Sequence, residues 1–134
     1  LIVGAGAVAL RRLRTLLRFD CSVEVIAPSF GAEFESLRGE RVILRQDGYA
    51  AGCCNADFVI AATDDRAVNF AIGEECRQKN IPVSVADNKA ESTFYFPAVV
   101  DAGNITVGVT SGGLDHKAAS GAARLIRNML GAID

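Results

Sequence analysis

The sequence predicts an α/β domain in which a parallel sheet carries helices on both faces, followed by a short tail of different rhythm. Three observations carry this prediction. A glycine-rich turn, Gly4-Ala5-Gly6, joins a short apolar run to a segment of helical period. Short apolar runs then alternate with further helical segments as far as Asp87. Beyond Asp87 that alternation stops.

Taken in order, Leu1-Ile2-Val3 reads as a buried strand. The chain opens inside it with no initiator Met, which predicts that residues of the natural first strand precede it. Val8, Leu13, Leu16 and Leu17 give a helical stripe, and Arg11, Arg12, Arg14 and Arg18 fall mostly off it. A strand at Ser22 to Ala27 is stopped by Pro28. Phe30, Phe34 and Leu37 suit a short helix, and Val42 to Leu44 a third strand. Asp57 to Ala62 is apolar without alternation, as befits a strand buried on both sheet faces. Asp64 or Asp65 N-caps a helix with Val68, Ile72 and Cys76 on its apolar side, and Pro82 to Ala86 forms the next buried strand. Such an order predicts right-handed crossovers and a Rossmann-like parallel sheet over residues 1–90. Residues 91–134 form a second segment: Phe94-Tyr95-Phe96-Pro97, a strand from Ile105 to Thr110, the turn Ser111-Gly112-Gly113, and a helix from about His116 to Leu130.

Composition narrows the functions available. With 134 residues, 50% of them hydrophobic and 22% charged, the chain can bury a core and is not disordered. Lys and Arg total 14 against 16 acidic residues, so nucleic acid, which selects basic partners, is not an expected ligand. No apolar run approaches the roughly 18 residues of a membrane span. Arg11, Arg12 and Arg14 follow the apolar N-terminus rather than precede it, unlike a signal peptide. Cys21, Cys53, Cys54 and Cys76 form no CxxC pair and only one His is present. No metal site is therefore expected, and the thiols suit a reducing, cytoplasmic location.

Gly4-x-Gly6-x-x-Ala9 stands between a strand and a helix, where a dinucleotide fingerprint belongs. Gly4 permits the tight turn, Gly6 lets a pyrophosphate approach the helix N-terminus, and Ala9 is small enough for the helix to pack on the sheet. The acid that commonly grips the ribose of NAD after the second strand is absent. That place reads Ala27-Pro28-Ser29, and no Arg follows closely for an NADP phosphate. The position leaves NAD and NADP both open. Ser29 can hydrogen-bond a ribose or simply complete a turn. Ala61-Ala62-Thr63-Asp64-Asp65 follows a buried strand, at the edge where such sheets bind ligands.

Four blocks in order, LIVGAGAVALRR, AATDDRAVN, SVADNKAESTFYFPA and ITVGVTSGG, resemble the precorrin-2 dehydrogenase domain of siroheme synthesis, which in some members is also a sirohydrochlorin ferrochelatase. The resemblance spans nearly the whole chain. It implies NAD as cofactor, with Gly4, Gly6, Ala7 and Val8 at the pyrophosphate, Pro28 and Ser29 on the adenosine side, and Thr63 and Asp64 in a second cofactor loop. It implies Asp87 as the catalytic aspartate and Ser111 at the tetrapyrrole pocket, in a homodimer whose tails interlock as a dimerisation segment.

A carboxylate in that place can take the proton released when precorrin-2 loses a hydride, or orient the ring. Asp87 beside Asn88 also suits a plain Asx turn. The backbone N–H groups of Ser111-Gly112-Gly113 can cradle a substrate carboxylate, and Lys89, His116, Lys117 and Arg124 are candidate partners for others. Where the family has Ser-Pro and an Arg-rich helix after the Gly-Gly turn, this chain has Asp115-His116 and an Ala-rich stretch, Ala118 to Ala123.

Two other classes share parts of the pattern. Nucleotide-sensing Rossmann modules of the potassium-transport type have the glycine turn and a similar loop after the fourth strand. They generally carry the acid after the second strand, and lack the FYFPA and TSGG blocks. A chelatase with a vestigial fingerprint would not need the intact glycines.

Overall fold

In the computed structural model, which describes residues 1–131, the chain divides into two compact units, Leu1–Phe94 and Tyr95–Asp134. In the first unit, β1 (Ile2–Val3), β2 (Val23–Ala27), β3 (Val42–Gln46), β4 (Val59–Ala61) and β5 (Val83–Val85) pair in parallel in the order β3-β2-β1-β4-β5. The crossovers run through α1 (Ala7–Leu16), the single turn α2 (Ala32–Glu35) and α3 (Arg66–Gln78). The chain steps from β1 to β2 on one side and from β4 to β5 on the other, so right-handed crossovers put α1 and α3 on opposite faces. Every residue of β1 and β4 is accordingly buried, which explains their unbroken apolar runs.

Register sets the functional edge. Val3 lies opposite Ile26 and Ala61, and Ala61 opposite Val85. Four strands therefore end level, and the residues that leave them emerge side by side along one edge of the sheet.

Two helical stripes differ from the expected ones. The seam of α1 is Ala9, Leu10, Leu13 and Leu16; Val8 and Leu17 are only half-buried at its borders. That of α3 is Asn69, Ile72, Gly73 and Cys76, one residue along from Val68. A polar side chain thus takes a place that periodicity reserves for an apolar one. Asp65, rather than Asp64, caps α3, its carboxylate accepting from the Ala67 and Val68 N–H groups at 2.8 and 3.2 Å.

Glu75, on α3, clasps the loop before β4. Its carboxylate accepts from the Tyr49 hydroxyl (2.8 Å), the Gly52 and Cys54 N–H groups (3.0 and 2.9 Å) and the Lys79 ammonium (2.7 Å). Burial on its own would raise this carboxyl, but the donors win and hold it at about 2. All four cysteines are free thiols, with Cys54 and Cys76 buried in one apolar cluster.

Edge strand β5 is sealed from within. The Val85 and Val83 N–H groups donate to the Ser92 and Thr93 hydroxyls, both at 2.8 Å, so this edge presents no free ladder there. The intervening Lys89–Glu91 forms a 3-10 turn.

In the second unit β6 (Ala98–Ala102) pairs antiparallel with β7 (Ile105–Val109), and α4 (His116–Leu130) packs on both. Only β7 and α4 were expected. β6 is joined to β7 by the tight turn Gly103-Asn104, with Gly103 at φ +57°, a two-residue hairpin link. Asp115 caps α4 through the Ala118 N–H at 2.8 Å. Val100 and Ala123 are buried in this unit, whereas Leu114, Leu125 and Met129 are largely exposed. Among the described residues no helix is long and apolar enough to cross a membrane.

Candidate dinucleotide site

The glycine turn leaves β1 under tight constraint. Gly4 has φ +112°, and a Cβ there would sit 2.2 Å from the Ala62 carbonyl oxygen, where β4 ends. Its N–H donates to Ile26 O at 2.8 Å, and Ala62 N–H donates to Val3 O at 2.8 Å. Only glycine fits this crossing of three strand ends. Gly6 is different: its φ is −85°, and a Cβ there would meet nothing within 4 Å. Absence of that Cβ bares the backbone towards open space. Ala9 is fully buried, as close packing of α1 on the sheet requires.

Gly6 is also the N-cap of α1, and no side chain caps that helix. In α3 and α4 an aspartate carboxylate occupies the corresponding place. The N-terminus of α1 therefore keeps its donors and its positive dipole end for an external anion. A bare glycine beside an uncapped helix start fits a pyrophosphate. A cleft of about 720 Å³ opens from this turn, lined by Arg11 and Arg14 of α1, Arg18 just past its end, and Gly31 to Phe34.

The other expected residues of the first unit leave the same sheet edge. Ala7 and Val8 begin α1, and exposed Pro28 and Ser29 follow β2. Glu24, the nearest acid, is paired within the sheet to Arg45 of β3 at 3.1 Å. Thr63 and Asp64 follow β4, with Asp64 exposed.

Asp87 follows β5, its side chain 36% exposed. One of its oxygens accepts from the Asn69 amide at 2.9 Å, and the other lies 3.5 Å from the Arg66 guanidinium. Arg66 also pairs with Glu91, which accepts from the Asn88 amide at 2.8 Å. Asn88 caps its own 3-10 turn through the Ala90 N–H, so the Asx turn expected here belongs to Asn88 and not to Asp87. Sequence reading missed the part of Asn69 and Arg66. The signal was available: Asn69 stands three and seven residues before Ile72 and Cys76, on the buried seam.

The second unit holds the remaining candidates. Gly112 and Gly113 have φ +63° and +75°, and a Cβ on Gly113 would strike the Tyr95 ring at 2.7 Å. The Ser111 hydroxyl accepts from the Asp115 N–H at 2.8 Å, which ties the turn to the start of α4. His116 and Lys117 are exposed on the first turn of α4, and Lys117 and Arg124 border a shallow cleft with Arg127.

A parallel sheet with order β3-β2-β1-β4-β5, a bare glycine turn and an uncapped α1 at its switch point defines a Rossmann-type dinucleotide-binding domain. The chain belongs to the family described as putative NAD(P)-binding, whose profile matches residues 1–98. It is 35% identical to a probable multifunctional siroheme biosynthesis protein HemA of Ruminiclostridium josui, over 100% of this chain and 27% of that one. It is 40% identical to a siroheme synthase of Ectopseudomonas mendocina, over 84% of this chain and 24% of that one. The chain thus spans about a quarter of the length of these relatives. Among solved structures, SirC, a precorrin-2 dehydrogenase, superposes with a TM-score of 0.72 at 21% identity, covering 99% of this chain and 64% of that one; that likeness is one of fold. The resemblance read from the four sequence blocks is borne out at the level of family.

Proposed function

We propose that the chain is an NAD-dependent oxidoreductase domain that converts precorrin-2 to sirohydrochlorin in siroheme biosynthesis. The observation that carries the reading is the shared sheet edge: the glycine turn, the Thr63 loop and Asp87 leave strands that end level, in a chain similar to a siroheme synthase and to a probable siroheme biosynthesis protein. Gly4, Gly6, Ala7 and Val8 hold the pyrophosphate, which takes hydrogen bonds from the free N–H groups of α1. Pro28 and Ser29 flank the adenosine, and Thr63 and Asp64 line the second cofactor loop. Bound NAD supplies a two-electron acceptor for the substrate's hydride.

Loss of that hydride leaves a proton to be removed, and Asp87 takes it or orients the ring that releases it. Ser111, Gly112, His116 and Lys117 meet the substrate's carboxylates, through the Gly-Gly turn and the first turn of α4. The protein acts as a homodimer in the cytoplasm, where its four free thiols stay reduced.

An anaerobic assay with enzymatically generated precorrin-2 and NAD tests this directly. NADH and sirohydrochlorin should appear in equal amounts, and Asp87→Ala should lose turnover while still binding NAD by titration. Full turnover by Asp87→Ala would remove Asp87 from the mechanism. Tight NAD binding with no tetrapyrrole conversion, in a protein extended to the length of its relatives, would favour a nucleotide-sensing role.

A further inference from the structure

Asn69 is the one fully buried polar residue among the described residues of the core, and its side chain is spent on two functional loops. Its Oδ1 accepts from the Thr63 N–H at 3.0 Å and the Thr63 hydroxyl at 2.7 Å. Its Nδ2 donates to Thr63 O at 3.0 Å and to Asp87 Oδ2 at 2.9 Å. Both donors and both acceptor sites of the amide are therefore used. The orientation is forced, because the Thr63 N–H must face an oxygen and the Asp87 carboxylate must face an N–H.

Such a residue sits badly as mere core. A leucine would suit the seam between Ile72 and the sheet, and burying an amide there is tolerable only because every polar atom is paired. What the pairing achieves is a rigid link from the loop after β4 to the carboxylate after β5. We infer that Asn69 is a positioning residue: it fixes the rotamer of Asp87 and couples that carboxylate to the Thr63 cofactor loop. This rests on the assignment of Asp87 to the reaction proposed above. With Oδ2 held by Asn69, Oδ1 is the oxygen left beside the Arg66 guanidinium, at 3.5 Å.

The informative variant is Asn69→Asp, which keeps the acceptor facing the Thr63 N–H and hydroxyl and removes the amide donor that Asp87 shares with Thr63 O. Two carboxylates at that separation cannot both be ionised, so the pair shares a proton, and Asp87 exchanges a fixed amide donor for that shared proton and loses its readiness as a base. In steady-state assays of the full chain with precorrin-2, varying NAD, kcat should fall about 10²-fold while KM for NAD stays within about threefold. Asn69→Ser, which cuts both halves of the link, should lose kcat and also raise KM for NAD. An Asn69→Asp protein with unchanged kcat, or with kcat and KM for NAD lost together, overturns the inference. If Asn69→Asp does not fold, as judged by circular dichroism, an Asn69→Ser protein with wild-type kcat overturns it instead. Asp87→Asn, assayed in parallel, separates the two levels. Full turnover there removes the underlying reading of Asp87, whereas inactive Asp87→Asn beside fully active Asn69 variants removes only the role of Asn69.

Discussion

Gly4 and Gly6, two residues apart in one turn, illustrate how differently the same letter can act in physical terms. Gly4 is required by the fold: φ +112° and the Ala62 carbonyl at 2.2 Å leave no room for a Cβ. Gly6 is not, since its φ is ordinary and its missing Cβ faces open space. Gly4→Ala is therefore expected to cost roughly 2–4 kcal/mol of stability, seen as a large drop in Tm. Gly6→Ala should cost about 1 kcal/mol, because alanine is a much poorer N-cap than glycine, and so clearly less than Gly4→Ala. If the α1 N-terminus receives the pyrophosphate, Gly6→Ala should nevertheless weaken NAD binding about tenfold or more, because the methyl group enters the space the phosphates need. Calorimetric titration beside thermal melts checks both halves. A Gly6→Ala protein that folds and binds like the wild type would show that no ligand comes close to this turn. Residue type revealed the turn, but only the backbone angles and the neighbouring Ala62 separate a glycine kept for folding from one free to serve a ligand.

At the scale of elements, legibility followed burial. Strands β1, β4 and β5 lie in a sheet covered on both faces, so their apolar runs were unmistakable in the sequence. Helix α4 was bounded correctly because Gly-Gly precedes it and an Asp caps it. Strand β6 was not legible, since Val99 is only half-buried and Asp101 exposed, and its identity comes from the partner strand β7. The place of Asn69 on the buried seam was legible, but its partners were not: they are 6 and 18 residues away, and local periodicity carries no information about them.

The clasp around Glu75 joins two elements in the same long-range manner, and it makes a pH prediction. A carboxyl held near 2 rather than its usual 4.5 stabilises the fold above about pH 4.5, and that contribution is lost as the pH falls towards 2. Glu75→Gln should destabilise the protein by about 2 kcal/mol near neutral pH, since Lys79 and the loop N–H groups lose a charged acceptor. The gap in Tm between variant and wild type should narrow steadily below about pH 4. A gap constant down to pH 3 would show that the clasp works through shape alone.

At the scale of the whole molecule, the second unit presents large apolar side chains to solvent. Its helix α4 buries Ala123, yet Leu125 and Met129 are 62% and 70% exposed, and Leu114 just before it is 82% exposed. Leu125 and Met129 are four residues apart and so share one face of the helix. Large apolar side chains clustered in water on a single face mark an association surface more often than an accident. A homodimer satisfies this economically, because a two-fold axis sets the same patch against itself and needs no second complementary surface. Sedimentation of the full chain should therefore give a dimer, and the pair Leu125→Glu and Met129→Glu should give a monomer. Since Leu1–Phe94 forms its own compact unit, that monomer should still bind NAD at the glycine turn with little change in affinity. Turnover should fall with dimerisation if substrate contacts near Ser111 and α4 need the partner copy. A double variant that stays dimeric would place the interface elsewhere, and one that loses NAD binding would show that the two units do not fold independently.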